Sequence, residues 1–392
     1  MAPRARKRKP AWSWRSRTLR ALAYQAAAIA ILVVLVAFLV DTTLENMRLR
    51  GIRSGFDFLS DPAGFDISET VMPFSASEPY WRAFLAGLGN TLRVALAGIV
   101  LATLFGTLIG IGGLSRNALL RGLSRAYVEF FRNLPLLLQL LMWYFMLTHL
   151  LPPVSGALQA GPAIFLSKSG LSFPWPVWGA GHITALIGLL LGIAAARAWT
   201  RRARLAFEEG RGAGPHWMKS VFIVLAGTLL GWLAGGAPME VEIPERSIFN
   251  VSGGAAVTPE FLAVLMGLTI YTAAFIAEIV RSGIQSVPWG QLEAAGALGL
   301  TRRQTLRLVV LPQARRVVIP PLANQYLNLT KNSSLAVAIG YPDLVSITNT
   351  TLNQTGRAVE CIAIMMAIYL VLSLGTAFFM HRHNAGAAIM ER

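Results

Sequence analysis

Roughly eight stretches of this chain run for about 20 residues with almost no charge: 21–40, 91–114, 133–151, 176–196, 219–236, 260–280, 317–338 and 358–380. An apolar run of that length crosses a bilayer as a helix, because about 20 residues at about 1.5 Å each match a hydrocarbon core of ~30 Å. Inside that core every backbone N–H and C=O must be satisfied within its own segment, which leaves helices or closed barrels. Barrel strands alternate over short segments, whereas these runs are continuous. Only 14% of the residues are charged and the mean hydropathy is +0.54; a soluble domain is about 25% charged. The expectation is an all-α polytopic membrane protein.

Net charge is +16, from 35 Lys and Arg against 19 Asp and Glu. In a soluble chain that balance points to nucleic acid; here the positive charge falls between the apolar runs and reads as topology. Starting inside, loop 41–90 falls outside with four arginines against seven acids, and loop 237–259 falls outside with Glu240, Glu242 and Glu245 against Arg246. The interior loops are basic: 115–126 has Arg116, Arg121 and Arg125 and no acid, 197–218 is net positive, and 281–316 has six arginines against Glu293. Arg4, Arg6, Lys7, Arg8, Lys9, Arg15, Arg17 and Arg20 precede the first run. They read as a cytoplasmic anchor rather than a cleaved leader, since the apolar run is long and lacks an Ala-x-Ala exit. Both termini are expected in the cytoplasm. The single cysteine, Cys361, excludes a disulfide framework and a cysteine metal cluster.

Residues 293–312, EAAGALGLTRRQTLRLVVLP, narrow the function most. Pro288-Trp289-Gly290 breaks the preceding run. Gln291 to Leu298 are good helix formers, with Glu293 in the first turn where the helix dipole favours an acid. Ala294 and Ala295 let another backbone approach closely. Gly299 is placed for a left-handed cap, Thr301 for capping the next helix, and Pro312 for a break or kink. The expected product is a helix, a turn and a second helix across the interior face. No Gly-Lys pair occurs anywhere, so the chain has no P-loop of the Gly-x4-Gly-Lys type.

Glu-Ala-Ala, three residues, Gly, nine residues, then Val-x-Leu-Pro resembles the EAA loop of ABC importer permeases. Residues 127–140, YVEFFRNLPLLLQL, resemble the polar amino-acid branch of that family, as do 90–92, 278–284 (EIVRSGI) and 324–336 (NQYLNLTKNSSLA). The resemblance covers about 85–151 and 260–385. It implies a five-helix type I core formed by the second, third, sixth, seventh and eighth runs, plus one N-terminal helix and a two-helix insertion. The extra helix, long exterior loop and central insertion resemble permeases of general L-amino-acid and glutamate-glutamine-aspartate-asparagine systems. The implied division is a basic tail at 1–20, a first transmembrane helix at 21–40, and a periplasmic loop at 41–90. Core residues 91–151 follow, then an insertion at 152–258 with two helices. Core residues 259–380 include the coupling loop 281–316, and 381–392 form a cytoplasmic tail.

The resemblance also implies partners: a cytoplasmic ABC ATPase dimer, a second permease chain in a heterodimer, and a periplasmic amino-acid-binding protein, all in a bacterial inner membrane. ATP and Mg would be bound by the ATPase, with no cofactor, metal or nucleic acid on this chain, which would itself be non-catalytic. Gln291, Glu293, Ala294, Ala295, Gly299, Leu300, Leu311 and Pro312 would couple to the ATPase. An ion-driven secondary transporter accounts for buried polar groups but not for this loop.

Polar groups inside membrane helices usually face a cavity or a partner. The seventh run is richest, with Asn324, Gln325, Asn328, Lys331, Asn332, Ser333 and Ser334. Asn324, Asn328 and Lys331 share one helical face. They either meet an amino-acid substrate, Lys331 receiving its carboxylate, or bond between helices, Lys331 pairing with Glu278 or Glu360. Glu129 with Arg132, and Glu278 with Arg281, are one turn apart and read as ion pairs at inner helix ends, serving as gate or support.

Overall fold

The computed structural model describes residues 17–49, 51, 54–210, 217–247 and 250–385. The basic segment before Arg17 and the tail beyond Ala385 lie outside the described residues. The helices are α1 (Arg17–Leu49), α2 (Tyr80–Gly112), α3 (Ala118–Asn133), α4 (Leu136–Phe145), α5 (Ala180–Glu208), α6 (Trp217–Ala234), α7 (Pro259–Gln285), α8 (Trp289–Ala297), α9 (Arg302–Thr305), α10 (Leu311–Asn332), α11 (Leu344–Thr355) and α12 (Ala358–Ala385).

Among the described residues, six helices are long and apolar enough to cross a membrane: α1, α2, α5, α6, α7 and α12. A seventh crossing is possible where α3 and Leu136–Leu150 meet at a 103° bend. Eight such runs were expected, and the described residues hold six helices of that kind, or seven if the bent pair is one span. The segment expected at 317–338 is helical, as α10 and a following 3-10 stretch, but its many amides and hydroxyls and Pro320-Pro321 remove it from the apolar set. The segment read as an interior loop at 115–126 is mostly the amphipathic helix α3. Apolarity alone misses a helix whose apolar residues, Leu119, Leu123 and Phe130, are spread along one face.

The chain forms two compact units, residues 1–90 with 342–379, and residues 91–341 with 380–392. In the first, the long exterior loop is an ordered lobe. Phe58 and Ala63 pack with Tyr80, Phe84, Leu344, Ile347 and Cys361. Arg357 holds the lobe by donating to Asp57 Oδ1 (2.6 Å) and Oδ2 (3.0 Å), and Gly55 N donates to Glu360 Oε1 (2.8 Å). Glu360, near the start of α12, is 5% exposed.

In the second unit α7 is central, with Ala263, Val264, Leu268, Ala273 and Ile276 fully buried. Lipid is as apolar as a side chain, so helices associate through close packing of small residues rather than by escaping water. A Cβ on Gly106 would lie 2.7 Å from Ile276, one on Gly110 2.6 Å from the Ala277 carbonyl oxygen, and one on Gly283 2.2 Å from Val318. These glycines set the spacing of α2 and α10 against α7. Helices α5 and α6 use the same device on each other: a Cβ on Gly188 would meet the Gly227 carbonyl oxygen at 2.2 Å, and one on Gly231 the Thr184 oxygen at 2.3 Å.

Short strands, absent from the sequence expectation, flank this hairpin. β1 (Leu158–Gln159), β2 (Phe165–Ser167), β3 (Gly170–Phe173) and β8 (Ala255–Val257) form one antiparallel sheet in the order β1-β2-β3-β8. β4 (Trp175–Pro176) pairs with β5 (Val241–Glu242), and β6 (Glu245–Arg246) with β7 (Val251–Ser252). Strands of two to four residues lack the apolar alternation that reveals longer ones.

Candidate functional site

The loop after α7 has the local chemistry its sequence dictates. Pro288 precedes α8, and Leu298 N donates to Ala294 O at the other end. Gly299 has φ +70°, its N donates to Gly296 O (2.9 Å), and Leu300 N donates to Ala295 O (3.1 Å). That pair of bonds is a Schellman cap, which requires the left-handed residue that glycine supplies. Leu300 and Leu292 line one apolar groove with Val287, Leu306 and Val310. Thr301 and Gln304 exchange side-chain-to-backbone bonds in a capping box that starts α9.

Of the break or kink expected at Pro312, the break does not occur. Leu306–Val310 form a π turn between α9 and α10, so helical backbone continues from Arg302 to Asn332. The wider turn gives room for a proline that would otherwise clash with the preceding turn. Leu311 opens α10 and is exposed. On the outer surface of α8, Trp289 Nε1 donates to Glu293 Oε1 (2.7 Å), while Trp289 and Leu298 remain 72% and 79% exposed. Gln291 Oε1 accepts weakly from Gln313 Nε2 (3.5 Å), and Ala294 is exposed whereas Ala295 is buried.

A second feature is a charged cavity of about 530 Å³ between α2, α3 and α7, lined by Ser124, Arg125, Glu129, Arg132, Asn133, Glu278 and Arg281 among others. Both sequence pairs therefore meet at one place. Arg281 Nε donates to Glu278 Oε2 (2.9 Å), and its terminal nitrogens reach Glu278 Oε1 (2.5 Å) and Gln285 Oε1 (2.6 Å). Glu129 and Arg132 behave differently. Arg132 stacks over Phe275 at 5.0 Å and lies within electrostatic range of Glu278 instead. Glu129 stays exposed, its backbone carbonyl accepting from Asn133 Nδ2. Both side chains line the cavity, and it is Phe275 on α7 that Arg132 meets.

What ends α3 is a residue the sequence reading passed over. Leu134 precedes proline and is extended (φ −91°, ψ 132°), as such residues prefer. Gln139, 1% exposed, then donates through Nε2 to Phe131 O (3.0 Å) and Leu134 O (3.1 Å). Its amide caps the carbonyls that the bend frees. A lone glutamine in the apolar run LPLLLQL was the available signal. Tyr127 adds a second tie, its hydroxyl donating to Ile270 O on α7 (2.7 Å).

The α10 residues lie apart from this cavity's lining. Asn324, Asn328 and Lys331 are exposed along one face; Gln325, Asn332 and Ser334 are half-buried and Ser333 is buried. Ser333 and Ser334 hydroxyls donate to the Thr330 and Lys331 carbonyls. Lys331 does not pair with Glu278, whose carboxylate is held by Arg281. Arg93 lies over the Phe261 ring at 4.2 Å.

Membrane-length helices around a cavity bearing both signs of charge define a multi-pass membrane transport protein. Residues 218–386 match the family described as binding-protein-dependent transport system inner membrane component. The general L-amino acid transport system permease AapQ of Rhizobium johnstonii is 44% identical over 97% of this chain and 96% of its own length. The putative amino-acid ABC transporter permease YhdX of Escherichia coli is 43% identical over 98% of each chain. BztB of Rhodobacter capsulatus, a glutamate/glutamine/aspartate/asparagine transport system permease, is 36% identical over 95% of each. A crystal structure of an amino acid ABC transporter with histidines aligns over 78% of this chain and 94% of its own, at TM-score 0.47 and 21% identity. The chain belongs to the amino-acid ABC transporter permeases.

Proposed function

We propose that this permease imports polar L-amino acids into the cytoplasm by alternating access, as one subunit of an ATP-driven complex. The observation that carries this reading is the cavity holding Arg125, Arg132 and Arg281 with Glu129 and Glu278. A zwitterion offers a carboxylate and an ammonium a few ångströms apart, and a site with both charges satisfies both. Arg132 is the carboxylate donor, because it is bound to no acid; Glu129 receives the ammonium. The Glu278–Arg281 pair fixes the wall.

The chain's own role is passage, with ATP and Mg on a cytoplasmic ATPase dimer and delivery by a periplasmic amino-acid-binding protein. Helix α8 presents Trp289, Glu293, Ala294 and Leu298 to that ATPase, and the Gly299 cap with Leu300 holds it rigid. Because helical backbone continues through Leu311 and Pro312, displacement of α8 is passed to α10. The open amide and ammonium face of α10 (Asn324, Asn328, Lys331) is costly against lipid. It therefore meets a second, different permease chain, and Gln325, Asn332, Ser333 and Ser334 belong to the same path. The basic charge of the interior loops supports a cytoplasmic side for both termini and α8 in a bacterial inner membrane.

Reconstituted complex with binding protein and labelled amino acids tests this. Arg132→Gln and Glu129→Gln each lower uptake at least about tenfold while the ATPase still co-purifies. Glu293→Arg disrupts co-purification or uncouples hydrolysis from uptake. Full uptake by both cavity variants would refute the assignment of the cavity; uptake without any ATPase would refute the whole reading and favour an ion gradient.

A further inference from the structure

The α5–α6 hairpin is packed by its own glycines, and its other faces are bare. Ile183, Leu186 and Leu190 are 60%, 55% and 60% exposed and fall on one face of α5. Continuing that face by helical spacing gives Arg197, Arg201 and Arg204, at i, i+4 and i+7. All three are exposed, and among the described residues none of their guanidinium groups makes a hydrogen bond or an ion pair. Glu208, one turn beyond Arg204, does not pair with it. The aromatic residues mark the depth. Lys219 Nζ on α6 lies 5.8 Å from the Trp199 ring on α5, and Trp217 is 70% exposed beside it. Tryptophan gathers where headgroups meet hydrocarbon.

We infer that this face is a site for an anionic phospholipid. Its acyl chain lies along Ile183, Leu186 and Leu190. Its phosphodiester meets Arg197 and Arg201, with Arg204 and Lys219 supplying further positive charge. The three arginines span about 10 Å along the axis, the reach of one headgroup. Charge selects the occupant: four cations gathered just past a lipid-facing apolar stripe attract an anionic headgroup more strongly than a zwitterionic one, whose ammonium offsets its phosphodiester. The site is independent of the substrate reading, because none of its residues lines the charged cavity.

The test uses the intact transporter, purified in mild detergent and examined by native mass spectrometry after exposure to mixed phosphatidylglycerol and phosphatidylcholine. The wild-type complex retains phosphatidylglycerol through detergent exchange. Arg197→Gln, Arg201→Gln and Arg204→Gln combined retain it at least about tenfold less, with unchanged size-exclusion elution. The triple Arg→Lys variant keeps most of it. Equal retention by the wild-type and glutamine variants overturns the site. Displacement of the lipid by inorganic phosphate alone, at millimolar concentration, also overturns it, since the arginines would then hold a free anion. A partner permease that shields these arginines from a charge-neutralising reagent in lipid-free complex overturns it as well.

Discussion

Replacing Gly110 by alanine sets two opposing effects against each other. In a helix with open surroundings, glycine to alanine stabilises by about 1 kcal/mol, because the unfolded chain loses freedom and the helix gains propensity. Gly375 in α12, where a new Cβ meets nothing within 4 Å, supplies that case. At Gly110 the new carbon would stand 2.6 Å from the Ala277 carbonyl oxygen and 3.0 Å from Val280 Cβ. A carbon–oxygen contact needs about 3.3 Å, so α2 and α7 must separate by about 0.7 Å. Backbone cannot swing aside as a flexible side chain does, and overpacking of this kind costs about 1–3 kcal/mol. The variant is then about 0–2 kcal/mol less stable than the parent, whereas Gly375→Ala is equal or more stable. Because Gly110 also lines the charged cavity, uptake falls alongside stability. Thermal unfolding of the purified complex, with both variants beside the parent, measures the difference. If Gly110→Ala unfolds as late as Gly375→Ala, the close approach of α2 to α7 is wrong.

Other consequences are equally direct. Gln139→Leu frees the carbonyls of Phe131 and Leu134 at the α3–α4 bend, and about 1–3 kcal/mol of stability is lost; a chemical unfolding curve reads it. Gly299→Val forces a branched residue to φ +70°, costing about 1–2 kcal/mol locally, so amide exchange across α8 quickens and ATPase recovery drops. Asp343 begins α11, its Oδ1 accepting from Ser346 N (2.9 Å) while the buried Oδ2 has no partner, and burial pushes its carboxyl up to about 7. The fold therefore holds the proton more tightly than the unfolded chain does. Stability falls as pH rises from about 4 towards about 7 and then levels off. Asp343→Asn, which keeps the cap, flattens that profile in a pH series of melting curves. Asp57 has the opposite sign. The Arg357 guanidinium holds its carboxyl below the usual carboxylate range, so its contribution is present at neutral pH and is lost only as pH falls through that lowered value. Limited proteolysis of the 54–79 lobe should therefore speed up in acid, and Arg357→Met should remove the pH dependence.

In the loop from Pro288 to Thr301 the start of α8 was not legible, since the helix begins at Trp289 and takes in Gly290, which leaves Glu293 beyond its first turn; the caps were legible because their determinants are local, a glycine in the left-handed region and a capping threonine. The long apolar helices were legible for the same reason. Helix α3 was not, since amphipathic spacing in a basic segment resembles a loop when only apolarity is weighed. The polar face of α10 was visible in the sequence, but its separation from the charged cavity depends on how α3 and α10 each meet α7. Glu129 and Arg132 show the limit most sharply. Spacing in the sequence placed them one turn apart, and only the packing of Phe275 decided that the guanidinium would turn away. The Asp57–Arg357 tie joins residues 300 positions apart and has no sequence signature at all.

Glycine-to-glycine packing between α5 and α6 bears on the order in which the chain assembles as it is made. Helix α4 ends at Phe145 and its partner α7 begins at Pro259. At about 5–20 residues per second, synthesis of the intervening segment takes roughly 5–20 s. Throughout that interval α2 and α4 sit in the bilayer with their contact surfaces unmatched. The α5–α6 hairpin waits for nothing: once Ala234 has left the ribosome, both of its surfaces exist and can close on each other. The middle of the chain thus matures before either flank, and the core is completed last, when α10 follows and packs on α7.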